Sequence, residues 1–409
     1  MNQIECDYVI VGAGIVGMSI AHQLNLKFPN KNIYILEKEG DVGFHSSGRN
    51  SGVLHAGIYY EPNTLKAHLC IEGAKKLKSW CKEHGVNILQ CGKVITPQNL
   101  ELDFQIDVLF ERALKNGANV EIIDQKKFNE IVPNGRTSSG RALWSPNTSV
   151  VSPKEVLEKL KSILLESNIK FLFNSKISKF DQFEQKIQIN NLIKNTKMKI
   201  KFKHLFNCAG LQSDQVGKIF GIGNQFKLIP FKGSYWKLKE KSNLSFKTNL
   251  YPVPDLNMPF LGVHITPSIE GSIYLGPTAV PALGAENYYG FQGIEILNTL
   301  RNIGILGDQW LNNKNNFRVY SRQQALLGLK SLFFRSAKLL IPNLEINDLL
   351  KCKKVGIRPQ LFDNKTGNLL KDFYIENASC STHVLNAISP AFTSSFAFAD
   401  YVINFGINK

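Results

Sequence analysis

The chain has 409 residues, 43% hydrophobic and 20% charged, which excludes wholesale disorder and collagen-like repeats and leaves room for two domains or one elaborate one. Lys and Arg number 49 against 33 Asp and Glu, a formal net charge of +16, and that excess favours an acidic small molecule, an anionic membrane surface or a nucleic acid as partner. No run reaches the roughly 18 apolar residues of a transmembrane helix, and the acidic start Met1 to Asp7 lacks the basic segment of a secretory signal. Seven scattered Cys without a CxxC pair read as reduced cytosolic thiols, with no disulfide frame and no metal site expected.

In chain order, Tyr8-Val9-Ile10-Val11 is a short apolar run suited to a buried parallel strand. Gly12-Ala13-Gly14-Ile15-Val16-Gly17 follows at once, residues 18–27 read as helix, and Ile33-Tyr34-Ile35-Leu36 is a second buried strand that stops at Glu37. Residues 43–60 are rich in Gly and Ser without a period, and ordered loops of that length are usually functional. The pattern predicts helix over 65–83, strand over 87–96, and helices over 100–116 and 154–166. Residues 170–206 alternate like an antiparallel meander and lead into Asn207-Cys208-Ala209-Gly210 and a helix over 213–220. Residues 226–280 are strand-like, 294–349 helical, and a last helix runs to residue 404. No repeat or low-complexity linker divides the chain, so two interleaved domains are expected: 1–84, 146–215 and 350–409 in one, 85–145 and 216–349 in the other.

Gly12, Gly14 and Gly17 form G-x-G-x-x-G between a strand and a helix. The first glycine allows the tight turn, the second lets backbone approach a pyrophosphate, and the third permits close helix–strand packing. The helix N-terminus offers free N–H groups and a positive dipole end to phosphates. Glu37 lies twenty residues past Gly17, where a carboxylate accepts hydrogen bonds from ribose hydroxyls and repels the extra phosphate of NADP. NAD and FAD both fit this unit. The small, polar loop Gly48-Arg49-Asn50-Ser51-Gly52 could line an isoalloxazine ring, and Asn207-Cys208-Ala209-Gly210 could support the adenine half.

The run His45-Ser46-Ser47-Gly48-Arg49-Asn50-Ser51-Gly52-Val53-Leu54-His55-Ala56-Gly57-Ile58-Tyr59-Tyr60 resembles the signature of the FAD-dependent L-2-hydroxyglutarate dehydrogenases and oxidases, within the D-amino-acid-oxidase-like flavoproteins. The resemblance continues, in order, through Leu65-Lys66-Ala67, Cys91-Gly92-Lys93, Pro230-Phe231-Lys232-Gly233, Tyr251-Pro252-Val253-Pro254-Asp255, Phe260-Leu261-Gly262-Val263-His264, Leu275-Gly276-Pro277, Gly356-Ile357-Arg358-Pro359-Gln360 and Asn386 to Ser395. It implies an α/β protein: a doubly wound FAD-binding domain with an interleaved antiparallel-sheet substrate domain and the flavin at their interface. Three departures touch the pocket. Arg49 stands where many members carry His, Phe392 replaces a small residue, and residues 284–290 do not match the basic, aromatic segment expected there.

Oxidising a 2-hydroxy acid requires a flavin N5 over the α-carbon, a base for the hydroxyl proton and cations for the carboxylates. His55 and His264 are the candidate bases, and Arg358 is the candidate carboxylate clamp. Tyr59, Tyr60 and Lys232 are candidate substrate contacts. Gly210, Gly356, Pro390, Thr393 and Ser394 join Gly12, Gly14, Gly17, Glu37, Arg49, Asn50, Ser51 and Gly52 as candidate cofactor contacts. Backbone N–H groups before the last helix would face the reduced flavin. The expected reaction turns L-2-hydroxyglutarate into 2-oxoglutarate, with quinone or oxygen as electron acceptor and a cytoplasmic location. An amino or imino acid oxidase of the same superfamily is the alternative. An apolar stripe at helical spacing, Leu326, Leu329, Phe333, Ala337 and Leu340, beside Lys330, Arg335 and Lys338, raises a peripheral contact with the inner face of a membrane. An RNA-binding flavoprotein is the non-enzymatic rival. The basic residues are dispersed and mostly Lys, without aromatic-interleaved blocks, so no nucleic acid is expected.

Overall fold

The computed structural model describes residues 3–254, 262–314 and 317–407; Asp255 and Phe260-Leu261 of the quoted motifs lie outside them. Strand Gln3–Val11 runs through the middle of the first sheet because its residues bury both faces, with Val9 and Ile10 fully enclosed. It pairs in parallel with Ile33–Leu36 on one side and Lys197–Asn207 on the other. Lys170–Leu172 and Ser381–Asn386 extend the two sides, also in parallel. Helices Ile15–Lys27, Leu65–Glu83, Pro153–Glu166 and Ala391–Ile407 share one apolar core with this sheet. A second core on the other face is closed by helix Ser213–Ile219 and the hairpin Ser175–Asp181 and Lys186–Asn191. This is the doubly wound arrangement.

The hairpin and Lys197–Asn207 form the antiparallel part of the predicted meander. Lys170–Leu172 does not join it, because it pairs in parallel with Ile33–Leu36. A three-residue strand is too short to carry a period in its sequence.

A ten-stranded sheet forms the second layer. Its pairings are antiparallel except that of Asn249–Pro252 with Lys93–Thr96. The predicted strand over 87–96 is broken into Ile88–Leu89 and Lys93–Thr96. Gly92 between them has φ +67, and any Cβ there would sit 2.0 Å from the Trp144 ring. The predicted helix over 100–116 begins as a 3-10 turn, Leu100–Leu102, before Phe104–Lys115. The expected division also needs correction at its last boundary. Strand Leu349–Asp363 pairs along its length with Phe226–Leu238, so those residues belong to the second sheet and not, as expected for 350–409, to the first.

The apolar stripe read as a membrane face is likewise mostly interior. Phe333, Ala337 and Leu340 are buried in a core shared with Leu275 and Leu349, and only Leu326 and Leu329 are exposed. Among the described residues, no helix is long and apolar enough to cross a membrane.

Candidate active site

Strands Gln3–Val11 and Lys197–Asn207 are neighbours from which the sheet grows in opposite directions. The crevice at their carboxyl ends is where such sheets bind ligands. Gly12 turns the chain there with φ +104, and a Cβ would meet the Cys208 carbonyl oxygen at 2.5 Å. A Cβ on Gly17 would lie 2.1 Å from the Gly12 carbonyl oxygen, so this glycine sets how closely helix and turn pack and does not line the cavity. The Glu37 carboxylate accepts hydrogen bonds from Ala13 N (2.8 Å) and Glu39 N (3.0 Å). It keeps unused lone pairs for a ribose. One cavity of about 520 Å³ runs from this turn toward the second sheet, with Gly14, Glu37, Ser51, Gly210, Arg358 and Thr393 among its walls. A backbone cradle that no side chain could enter, a carboxylate at its edge and an elongated cavity fit FAD.

The Gly- and Ser-rich loop holds its shape by its own polar groups. Asn50 Nδ2 donates to Ser47 O (2.6 Å), and its Oδ1 accepts from Gly52 N (2.8 Å). Gly52 (φ +79) lies outside the cavity walls. Its lack of a side chain lets the loop approach Val151 O, which a Cβ would meet at 2.1 Å. Ser46 Oγ donates to Ile357 O (2.8 Å), and a Cβ on Gly356 would lie 2.8 Å from Arg49 O. The loop is therefore seated directly on the strand that carries Arg358. Arg49 is in the wall, where its Nε donates to Phe44 O (2.7 Å) and its guanidinium lies 4.0 Å from the Tyr288 ring centroid.

At the far end the cavity wall gathers His55, Tyr59, Tyr60, Tyr251, His264 and Arg358. Thr393, in the first turn of the last helix, fixes the His55 backbone. It accepts from His55 N (3.1 Å) while its own hydroxyl donates to Val53 O (3.3 Å). His264 opens strand His264–Pro267, stacked on Tyr251 with ring centroids 3.9 Å apart. Its Nδ1 is 2.9 Å from Gly262 O. A carbonyl only accepts, so Nδ1 carries the proton and Nε2 is left as a base. Burial, with Arg358 and Lys93 adding to it, pushes His264 down to about 3, and Gly262 opposes the shift. His55 is held well below its ordinary value by burial first, then by Lys93, His264 and Arg358. Both imidazoles are therefore neutral at neutral pH.

Tyr59 Oη is buried with no hydrogen-bond partner among the described residues, a donor left for a ligand. Lys232 is elsewhere: its Nζ donates to Asn287 Oδ1 (3.2 Å), outside the cavity walls. Ser394 is also outside them, while Pro390 and Thr393 are in the wall. The expectation of Lys232 as a substrate contact is corrected on that geometry. Lys38, Lys66, Lys176 and Lys371 do reach the wall, and of these only Lys66 is buried, at the start of helix Leu65–Glu83, where desolvation lowers it to about 8, with Asp372 opposing. Asp372 also accepts from Leu65 N (2.8 Å) and Lys66 N (3.0 Å), fixing that helix end. In the sequence, Lys66, Lys93 and Tyr251 stand out only as parts of motifs. The signal that could have singled out the two lysines is a lysine at the start of an otherwise apolar strand or helix; Tyr251 carries no such signal.

A family described as FAD dependent oxidoreductase matches residues 7–404. The chain is 36% identical over 418 residues to the mitochondrial L-2-hydroxyglutarate dehydrogenase of Caenorhabditis elegans, covering 98% of this chain and 93% of that one. It is 34% identical over 413 residues to the human mitochondrial L-2-hydroxyglutarate dehydrogenase, covering 97% and 87%. Among solved structures, L-alpha-glycerophosphate oxidase from Mycoplasma pneumoniae with FAD bound superposes with a TM-score of 0.78 at 20% identity, over 98% of this chain and 94% of that one. The chain therefore belongs to the FAD-dependent oxidoreductases. Within that class, these two relatives, at 36% and 34% identity, are both L-2-hydroxyglutarate dehydrogenases.

Proposed function

We propose that this protein oxidises L-2-hydroxyglutarate to 2-oxoglutarate with FAD as cofactor. The observation that carries the reading is one cavity with a dinucleotide turn at one end and two neutral histidines beside an arginine at the other. The backbone around Gly12 and Gly14, Glu37 and the loop 46–51 would hold FAD, which supplies the two-electron acceptor when bound. Arg358 clamps the carboxylate next to the reacting carbon, because a guanidinium fork fixes orientation as well as charge. Lys66 meets the second carboxylate, and Tyr59 Oη donates to the substrate. A histidine Nε2 takes the hydroxyl proton. By this reading the parallel-sheet unit serves the cofactor and the antiparallel sheet the substrate, with Arg358 at their seam.

The test is anaerobic reduction of the flavin by a panel of acids. L-2-hydroxyglutarate should bleach the visible flavin band, whereas the D enantiomer, glycine and L-proline should not. Bleaching by an amino acid alone would replace this reading with that of an amino acid oxidase.

For the acceptor, we propose a quinone reached at an anionic membrane surface. Helix Ile296–Leu311 is turned inside out: Asn302 and Gln309 are buried, whereas Leu297 (84% exposed), Leu300 (61%) and Ile303 (57%) face outward. Residues 296–340 carry seven Lys and Arg against one Asp, which suits anionic lipid and opposes self-association through this face. Vesicles containing an anionic phospholipid should pellet the protein at low salt, and Leu297→Glu with Leu300→Glu should abolish it. Equal pelleting of the variant, or none by the wild type, would remove the membrane from the proposal.

A further inference from the structure

Lys93 is fully buried at the start of strand Lys93–Thr96, outside the cavity wall, and among the described residues no carboxylate accounts for it. Its Nζ lies 3.3 Å from His55 Nδ1. It also sits 4.4 Å from the Tyr251 ring centroid and 5.3 Å from that of Tyr59. A buried lysine without an acid is costly, and this one is set against the histidine of the reactive end. Gly92 makes the placement possible, since only a residue without Cβ lets the chain pass Trp144 there.

We propose that Lys93 is a positioning residue that selects His55 as the base: an uncharged Nζ accepts the Nδ1–H of His55, leaving its Nε2 lone pair for the substrate hydroxyl. This rests on the 2-hydroxy acid reading above. Nδ1 is turned to a residue behind the wall, so Nε2 is the ring nitrogen left for the cavity. When the hydroxyl O–H bond breaks, its proton joins Nε2, and the Nδ1 proton passes to Nζ. The Cα–H leaves with its electron pair as hydride to the flavin, so the hydroxy acid is oxidised, the flavin is reduced and a C=O bond forms. The resulting ammonium is flanked by the faces of Tyr251 and Tyr59, which favour a cation. When Lys93 is already an ammonium it donates to Nδ1 instead. The ring proton then sits on Nε2, and His55 cannot act as base.

The groups around this pair come from several elements. Cys70 lies on helix Leu65–Glu83, Cys91 just before the strand, Tyr59 on the loop, Tyr251 and His264 on paired strands, and Arg358 on strand Leu349–Asp363. Burial lowers Lys93 to about 7, against the smaller upward pull of the two thiols. The exchange between the two states therefore falls in the working range of pH.

Two measurements on the FAD-loaded enzyme test this. The second-order rate constant for flavin reduction, which reports the free enzyme's ionisations, should rise through about pH 7 and level off in the wild type. Lys93→Met should lose that rise and react at least ~30-fold more slowly at about pH 8. Lys93→Arg, cationic throughout, should do the same without removing the side chain's bulk. Independently of substrate, nitrogen NMR of labelled histidine should find His55 protonated on Nδ1 at about pH 8.5 in the wild type and on Nε2 in Lys93→Arg. A Lys93→Met pH profile parallel to the wild type, or a wild-type His55 protonated on Nε2 at that pH, overturns the proposal. If L-2-hydroxyglutarate fails to reduce the wild-type flavin, the substrate assignment falls, and the tautomer measurement still decides the role of Lys93.

Discussion

The two ends of the cavity are built on opposite principles. At the glycine turn the specification is made by backbone: consecutive residues, φ +104 at Gly12, and no room for a Cβ beside Cys208 O. At the reactive end it is made by side chains. His55, Lys93, His264 and Arg358 come from four distant segments that meet through Thr393, sheet pairing and ring stacking. The first end should therefore fail all at once under small steric changes. The second should fail by degrees, according to which charge or proton position is lost.

The largest effect is expected where backbone has no freedom. Gly12→Val places two more carbons beyond a Cβ that already meets a carbonyl oxygen at 2.5 Å. The purified protein should be colourless and fail to take up added FAD. Gly85→Ala is the control, since Gly85 also has a positive φ, +69, but nothing within 4 Å of where its Cβ would stand. It should cost about 1 kcal/mol of stability from backbone strain and keep its flavin. Flavin absorbance after desalting reads both. A yellow Gly12→Val protein would break the distinction between the two ends.

This contrast also explains what the sequence disclosed. The glycine spacing, the flanking strands and Glu37 lie within one stretch of chain, so the cofactor end was legible from residues alone. The parallel core was too, because Val9-Ile10 and Ile35-Leu36 are apolar on both faces. The reactive end was legible only through family resemblance, which brought His55, His264 and Arg358 forward but chose Lys232 over Lys66. The two lysines differ in where their strand or helix points them, and register is not written in a single side chain. Lys93 was passed over because a lysine opening a strand usually faces water. Nothing in Cys91-Gly92-Lys93 announces that Trp144 and two tyrosines enclose it. The outward face of Ile296–Leu311 was missed for the converse reason: an amphipathic period does not say which face is inside.

Graded failure at the reactive end can be checked by pairing its cations. Arg358→Lys keeps the charge but loses the fork, and should lower the reduction rate constant by about 100-fold for L-2-hydroxyglutarate while retaining flavin. Lys66→Met should raise KM by about 10-fold with little change in kcat, because the contact proposed for it is to a carboxylate away from the reacting carbon. With a shorter monocarboxylic L-2-hydroxy acid, the Lys66→Met penalty should vanish and the Arg358→Lys penalty persist. If both variants lose equally on both substrates, the division of the two carboxylates between these cations is wrong.

The smallest effect should be a gain. Lys93 has a folded-state pKa of about 7, set by burial, against an ordinary 10.5, so between those values the unfolded chain binds more protons than the folded one. Stability must then rise with pH across that window, and below about 7 the full cost of holding a buried ammonium is felt. The shift corresponds to at most about 4–5 kcal/mol, and relaxation around the site would leave less. Lys93→Met keeps the side chain's length, fills the same space and removes the titration. It should melt roughly 3–6 °C above the wild type near pH 6, with FAD saturating in both, and the difference should close toward pH 10. The same substitution is the one expected to slow flavin reduction. A site that holds a proton carrier in a dry strand is less stable for doing so, and replacing it with a thioether should recover that stability. Should Lys93→Met instead melt below the wild type at every pH, Lys93 would be a structural residue, and the contrast between a backbone-built and a charge-built end would lose its strongest member.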